Sequence, residues 1–277
     1  MKPLHVEAVG LMAPGLTGWA ASQAVLTGQQ PYLAAPMPAV LATLLPANER
    51  RRVTPTVKLA LQVAHEAMEQ AKSSQPPVVP KEGSSREDSS AARTVFASSG
   101  GDSEIVDKIC LALLEPDRPV SPTHFHQSVH NTPAGYWAIA TGCVQPSLSV
   151  SAYDNTFVAG FREAAALAWA ESARVLLVAY DLPLLFPLAE RRAIGALFGV
   201  ALLLNPAPTV DRLATLRLGR SATGSADRLD DRALEHLRTG NPAARALPLL
   251  CAIARRAVVS VALPAEDETV LPVEVAP

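Results

Sequence analysis

A chain of 277 residues with 49% apolar side chains is long enough and apolar enough to bury a core, which excludes a disordered or fibrous protein. Lys and Arg number 24 against 26 Asp and Glu, a formal charge of −2, so there is no global basic field to hold nucleic acid or an anionic membrane. The three cysteines, Cys110, Cys143 and Cys251, are widely spaced with no CxxC pair, which points away from a disulfide framework or a zinc site and toward a reduced, cytoplasmic setting.

Near the start, His5, Glu7 and Pro14 interrupt the apolar stretch before the core of an export signal can form, so none is expected. The longest apolar run, Ala196 to Leu204, is less than half of the ~20 residues needed to cross a bilayer, and no integral membrane segment is expected. With 24 prolines but only six Phe, four Tyr and three Trp, the core must be built from Ala, Leu and Val.

In chain order, residues 4–12 alternate and read as a strand, and Gly15 to Thr27 carries helical spacing at Leu16, Trp19, Ala20 and Val25. Thr54 before Pro55 is a helix start, since Thr accepts an orphan N–H and Pro has none to lose; Leu59, Leu61, Ala64, Met68 and Ala71 carry the helix to about Lys72. The Ser-, Pro- and charge-rich stretch over 73–92 has little to bury and predicts a mobile loop. A strand over 94–99 ends at Gly100 and Gly101. A helix over 102–114 follows, with Ile105, Ile109 and Leu113 on one face, and another spans about 128–140.

A strand over 147–152 then runs directly into a long helix over 155–172. Residues 174–181, almost all apolar, predict a strand buried on both faces. Further strands are predicted over 197–204, 213–218 and 258–263, with helices near 231–237 and 241–255. The alternation up to residue 204 predicts an α/β domain with a mainly parallel sheet covered by helices.

Residues 121–157 carry the informative motif. Ser121-Pro122, Asn131, Ala134-Gly135, Gly142, Pro146 and Val150-Ser151-Ala152 fall, without a gap, where a β-ketoacyl synthase has SP, N, AG, G, P and the VST-type run into its catalytic cysteine. Pro14-Gly15-Leu16 to Trp19, Arg51-Arg52-Val53 to Leu59-Ala60, Phe96 to Gly101 and Gly195 to Leu204 add matches in order. The chain therefore resembles the N-terminal half of a β-ketoacyl synthase over roughly residues 4–204, most nearly the standalone domains found with aryl polyene and fatty-acid-type synthases. The resemblance implies a thiolase-like fold, N-terminal half only, with a five-stranded sheet. It covers a ketosynthase-like domain over 1–204; the extension over 205–277 matches no motif, and its apolar content leads to the expectation that it packs back on the same domain through Leu247 to Ile253.

Two departures bear on function. The frame puts Asp154 at the cysteine position, and a carboxylate is a poor nucleophile toward a thioester; as an ordinary residue Asp154 would cap the helix that follows. The family's assisting histidines belong to its C-terminal half. In this sequence the only histidine after residue 130 is His236, set in a charged stretch that reads as a solvated helix face.

The resemblance thus implies a non-catalytic subunit of the chain length factor type, pairing as a heterodimer with a full-length β-ketoacyl synthase and shaping its acyl tunnel. It places His124, Phe125, Ser128, His130 and Asn131 at the partner tunnel and interface, and Tyr153, Asp154 and Asn155 at the elbow. Arg50, Arg51 and Arg52, just ahead of a helix start, are candidates for docking an acidic acyl carrier protein, which is expected mainly to reach the complex through the partner. The spacing of His124, His126 and His130 lacks a nearby Cys or carboxylate ligand, so no metal and no cofactor is expected. Two other readings stay open: an acyltransferase or thioester hydrolase using Asp154 or one of these histidines, and a module that only binds acyl carriers.

Overall fold

A computed structural model describes residues 2–40, 42–73, 92–266 and 268–277; nearly all of the loop expected over 73–92 lies outside the described residues. The elements run β1 (Leu4–Ala13), β2 (Leu16–Thr17), α1 (Trp19–Leu26), α2 (Ala47–Arg50), α3 (Pro55–Ser73), β3 (Arg93–Ala97), α4 (Ser103–Leu114), α5 (Pro122–Ser128), α6 (Thr132–Thr141) and β4 (Ser147–Val150). They continue through α7 (Thr156–Glu171), β5 (Val175–Asp181), α8 (Leu188–Arg191), β6 (Phe198–Asn205), β7 (Ala214–Leu218), β8 (Ala222–Thr223), α9 (Arg232–Gly240), α10 (Leu247–Ala254), β9 (Val259–Pro264) and β10 (Thr269–Ala276). Short 3-10 turns at Tyr153–Asn155 and Ala243–Ala246 precede α7 and α10.

One sheet organises the molecule, in the order β4-β3-β5-β6-β1-β7-β10-β8, with β2 paired to β1 and β9 to β10. The expected five strands form one side of it. Within them β3 is parallel to both β4 and β5, whereas β6 runs against its neighbours β5 and β1, so four strands share a direction and one opposes them. The sheet is therefore mixed, and it reaches ten strands because β2 folds back on β1 and the C-terminal strands continue it past β1.

β5 is buried along its whole length, since α3 and α6 cover one face of this region and α7 covers the other. Two glycines set how closely the layers approach. A Cβ on Gly10 would sit 2.0 Å from the Val63 carbonyl oxygen of α3, and one on Gly160 of α7 would sit 2.7 Å from the Ala97 Cβ of β3. Between the short β2 and β7 pairings, the α3 side chains replace a missing strand for β1: Glu66 accepts the N–H of Leu11 and Gln70 that of Val9, each at 2.9 Å. Glu66 also accepts the N–H of Trp19 at 2.5 Å, which caps α1.

Several local expectations are revised. The first helix begins only at Trp19, because Leu16–Thr17 turns back to pair with Met12 and Ala13. The helix expected over 128–140 is α6, which begins only at Thr132; a separate helix, α5, which the sequence reading does not anticipate, precedes it and ends at Ser128, and each is opened by a proline in its first turn. α4 does not bury the face Ile105-Ile109-Leu113: of these only Ile105 is buried, and Leu113 is exposed. Thr54 does accept the N–H of Val57 at the start of α3, as its position before Pro55 predicts. In the tail, Leu247, Leu249, Leu250 and Ile253 are buried in the same apolar cluster as Leu4, Phe161 and Val200.

Candidate functional site

The C-terminal ends of β3, β4 and β5 lie side by side, the usual place for a site in an α/β sheet. β4 leaves through Ser151 and Ala152 into a tight turn whose pivot is Tyr153, at φ 50°, a left-handed conformation that costs a non-glycine residue free energy. The Thr156 hydroxyl fastens this turn, donating to the Tyr153 carbonyl at 2.6 Å and accepting the Ala152 N–H at 3.0 Å. Strand, turn and helix α7 follow in the order the sequence predicts.

Asp154 is not the cap of α7. Its carboxylate turns sideways between two arginines: Oδ1 accepts from Arg192 Nη2 at 2.9 Å and Oδ2 from Arg245 Nη2 at 3.2 Å. Arg245 also donates through Nη1 to Asn155 Oδ1 at 3.0 Å, and the Arg192 guanidinium lies 3.9 Å over the Tyr153 ring. Arg192 follows α8 and Arg245 sits in the turn before α10, so Asp154 ties the elbow to two distant segments. Burial lowers the Arg245 pKa and the Asp154 charge raises it again. A carboxylate held by two cations is a still poorer nucleophile than a free one.

The floor of the site is a second carboxylate. Asp181, at the end of β5 and 2% exposed, accepts through Oδ1 from the hydroxyls of Ser98 and Ser99 at 3.2 and 2.7 Å and from the N–H groups of Ser99 and Gly100 at 2.8 and 3.3 Å. Its Oδ2 is buried without a partner among the described residues. Burial pushes this carboxyl up to about 6, against the pull of those hydrogen bonds. Asp181 fixes the Ser98–Gly100 turn, and sequence reasoning missed it: a single acidic residue at the end of an apolar strand has no motif.

Among the described residues β4 is an edge strand of the sheet, with Leu148 partly exposed and α6 packed against it, and the neighbouring helices α4, α5 and α6 carry exposed apolar side chains. Val106, Leu111, Leu113 and Leu114 of α4 are exposed, as are Phe125 of α5, at 66%, and Ile139 of α6. Soluble monomers seldom leave so many large apolar side chains exposed in addition to an edge strand.

Residues 82–260 match the family described as Beta-ketoacyl synthase, N-terminal domain, which is more than half of the chain. The chain belongs to that family. Its fold agrees. A chain in the complex of the ketosynthase ApeO with its chain length factor ApeC from Xenorhabdus doucetiae is 21% identical over 99% of both chains, with a TM-score of 0.71. The ishigamide ketosynthase/chain length factor gives 14% identity, 99% of both chains and a TM-score of 0.70. The type II polyketide synthase complex AntDE:AntF gives 11%, again 99% of both, and 0.68. At such identities the likeness establishes the thiolase-like ketosynthase fold. No curated protein matches by sequence.

In this ketosynthase-family chain the residues singled out from sequence fall in three places. Tyr153, Asp154 and Asn155 form the elbow. His124, Phe125 and Ser128 lie on α5, where the Ser128 hydroxyl donates to the Phe125 carbonyl at 2.8 Å. His130 reaches from the α5–α6 break to the end of β4, its Nε2 3.2 Å from the Val150 carbonyl, and Asn131 precedes α6 without a side-chain capping bond. A cavity of about 10 Å³, room for one water, lies between His130, Asp102, Gln127 and Tyr180. His126 packs edge-on to the Tyr136 ring. Among the described residues, no group of three or more His, Cys, Asp or Glu is placed to hold a metal, and no helix is long and apolar enough to cross a membrane.

The arginine cluster lies apart from the elbow's ion pairs. Arg50 closes α2 and donates to the Leu45 carbonyl at 3.0 Å, Arg51 donates to the Ala47 carbonyl at 3.3 Å, and Arg52 lies 4.0 Å from Glu49. These cations therefore sit at the C-terminal end of a helix, where its dipole favours them, and not only ahead of the next helix start as the sequence suggested. The Gln127 side chain donates to the Arg52 carbonyl, which links this segment to α5.

Proposed function

We propose that this chain is a non-catalytic ketosynthase-like subunit of the chain length factor type, which pairs through its β4 edge with a full-length β-ketoacyl synthase and forms part of the wall of that partner's acyl tunnel. The observation that carries this reading is the open β4 edge beside an elbow that holds a clamped carboxylate where an active family member holds a thiolate. An edge strand, together with exposed Phe125, Ile139 and α4 leucines on the neighbouring helices, is the chemistry of a sheet that continues into a second subunit. Two of the similar structures are named as a ketosynthase with its chain length factor, and a third as a carrier protein with its ketosynthase, which supports a heterodimer in polyketide or aryl polyene assembly.

In this reading His124, Phe125 and Ser128 face the partner's acyl chain, and His130 and Asn131 hold the segment against β4. A close-packed wall resists each added methylene, so the bulk of Phe125 limits chain length. Arg51 and Arg52, both exposed, offer the cations that an acidic carrier protein would meet as it approaches the pair. The subunits act in the cytoplasm on carrier-bound chains.

The test reconstitutes the chain with a full-length ketosynthase from the same source, a carrier protein and malonyl donors. Intact-protein mass spectrometry is expected to find the acyl adduct on the ketosynthase and none on this chain, and Phe125→Ala is expected to lengthen the products. An acyl adduct on this chain would favour the acyltransferase reading instead. Product lengths unchanged by Phe125→Ala in an intact complex would refute the tunnel role.

A further inference from the structure

The elbow raises a question that the absence of a thiolate leaves open: why an acid stands there, and not a small neutral residue. Arg192 and Arg245 are largely buried, with side chains 16% and 21% exposed, and they approach from segments 38 and 91 residues away from Asp154. Each gives one hydrogen bond to a separate carboxylate oxygen, the arrangement by which an arginine pair holds a small carboxylic acid. Arg192 is fixed from its other face by the Tyr153 ring, and Arg245 by Asn155 Oδ1, so both guanidinium groups are held in position by groups other than the acid. Two cations meet one anion here. Without it they would face each other, partly desolvated and unneutralised.

We infer that Arg192 and Arg245 form a built carboxylate-binding site whose occupant is the chain's own Asp154, and that this internal ligand latches the 182–197 connection down over the elbow. The connection carries exposed Leu185, Phe186 and Leu188, and Leu184 lies over Gly100, where an added Cβ would come within 3.3 Å of its Cδ2. Filling the site from within thus leaves the arginine pair no free position for an outside carboxylate while setting the position of an exposed apolar segment. The latch belongs to this chain by itself and holds whether or not a ketosynthase pairs with it.

The experiment uses the full chain as wild type, Asp154→Ala and Asp154→Asn, with sodium formate as the probe and sodium chloride at equal concentration as the control. Asp154→Ala empties the site, and its Tm is expected to fall by roughly 4–8 °C, with trypsin cutting after Arg191 and Arg192 at least about tenfold faster than in wild type. Formate is expected to restore most of both losses in Asp154→Ala, to do more than chloride, and to leave wild type unchanged. Asp154→Asn keeps the shape, loses the charge and fills the space, so it is expected to fall between the two and to be unmoved by formate. If Asp154→Ala is too unstable to purify in chloride, purification in formate alone supports the site. An Asp154→Ala variant as stable and protease-resistant as wild type, or one that responds equally to formate and chloride, would overturn it.

Discussion

Replacing Asp181 by Asn tests how the floor of the site is built. The Asp181 carboxyl titrates near 6 in the fold, because burial outweighs its four hydrogen bonds, and near 3.8 when free. Between those values the native state binds a proton that the unfolded chain does not, so ionising the group destabilises the fold as pH rises. The shift converts to about 3 kcal/mol at 1.36 kcal/mol per unit. That stabilisation is fully present below about pH 4 and lost by the time the pH passes about 6. The amide introduced by Asp181→Asn keeps an oxygen for the Ser99 and Gly100 N–H groups and carries no charge, so the variant lacks this dependence. Urea unfolding of both proteins from about pH 4 to about pH 7 should show the variant gaining on wild type by about 3 kcal/mol over the interval. A difference that stays flat, or a wild type that gains on the variant as pH rises, would mean that Asp181 is an ordinary ionised acid whose burial does not outweigh its hydrogen bonds.

Other expectations follow from single contacts. Glu66→Ala leaves the Leu11 and Trp19 N–H groups without their acceptor and should lower stability by about 2–4 kcal/mol in chemical denaturation, with Glu66→Gln costing less. Gly10→Ala drives a methyl into the Val63 carbonyl, so little soluble, cooperatively unfolding protein is expected on expression. Burial raises the Cys251 thiol to about 11, so a thiol reagent under native conditions should modify exposed Cys110 well before Cys251; equal rates in a time course read by mass spectrometry would contradict the packing of α10.

Much of the fold was legible because its signals are local. The alternation in β1, the apolar run of β5, Thr54 before Pro55, and the strand that leads directly into α7 each announce themselves within ten or so residues. β10 did not, since Pro272 interrupts its alternation and a proline inside a run argues against an interior strand; here its carbonyl accepts from Gly219 and the ladder continues around it. α4 misled for a different reason. Its helical period is real, but the sequence does not say whether an apolar face meets the core or a partner, and this one is mostly exposed.

The elbow itself was found by motif, through the frame that brings Asp154 to the turn. What Asp154 does there was not legible, because Arg192 and Arg245 are joined to it only by the folded chain and have no spacing rule. The same holds for Asp181 and Glu66, whose roles come from the backbone groups they meet. Long-range polar contacts of this kind are a property of the topology, and in this chain they tie the elbow, fastened locally by Thr156, to distant segments.

The most direct measurement of the central claim is native mass spectrometry of the chain co-expressed with a full-length β-ketoacyl synthase from the same source, beside a double variant, Phe125→Asp with Leu148→Asp, that places charge on α5 and on the β4 edge. A one-to-one complex with the wild-type chain, lost in a variant that remains folded, is the predicted result. A wild-type chain that stays monomeric in the presence of the ketosynthase, or a complex that survives both charges, would contradict it.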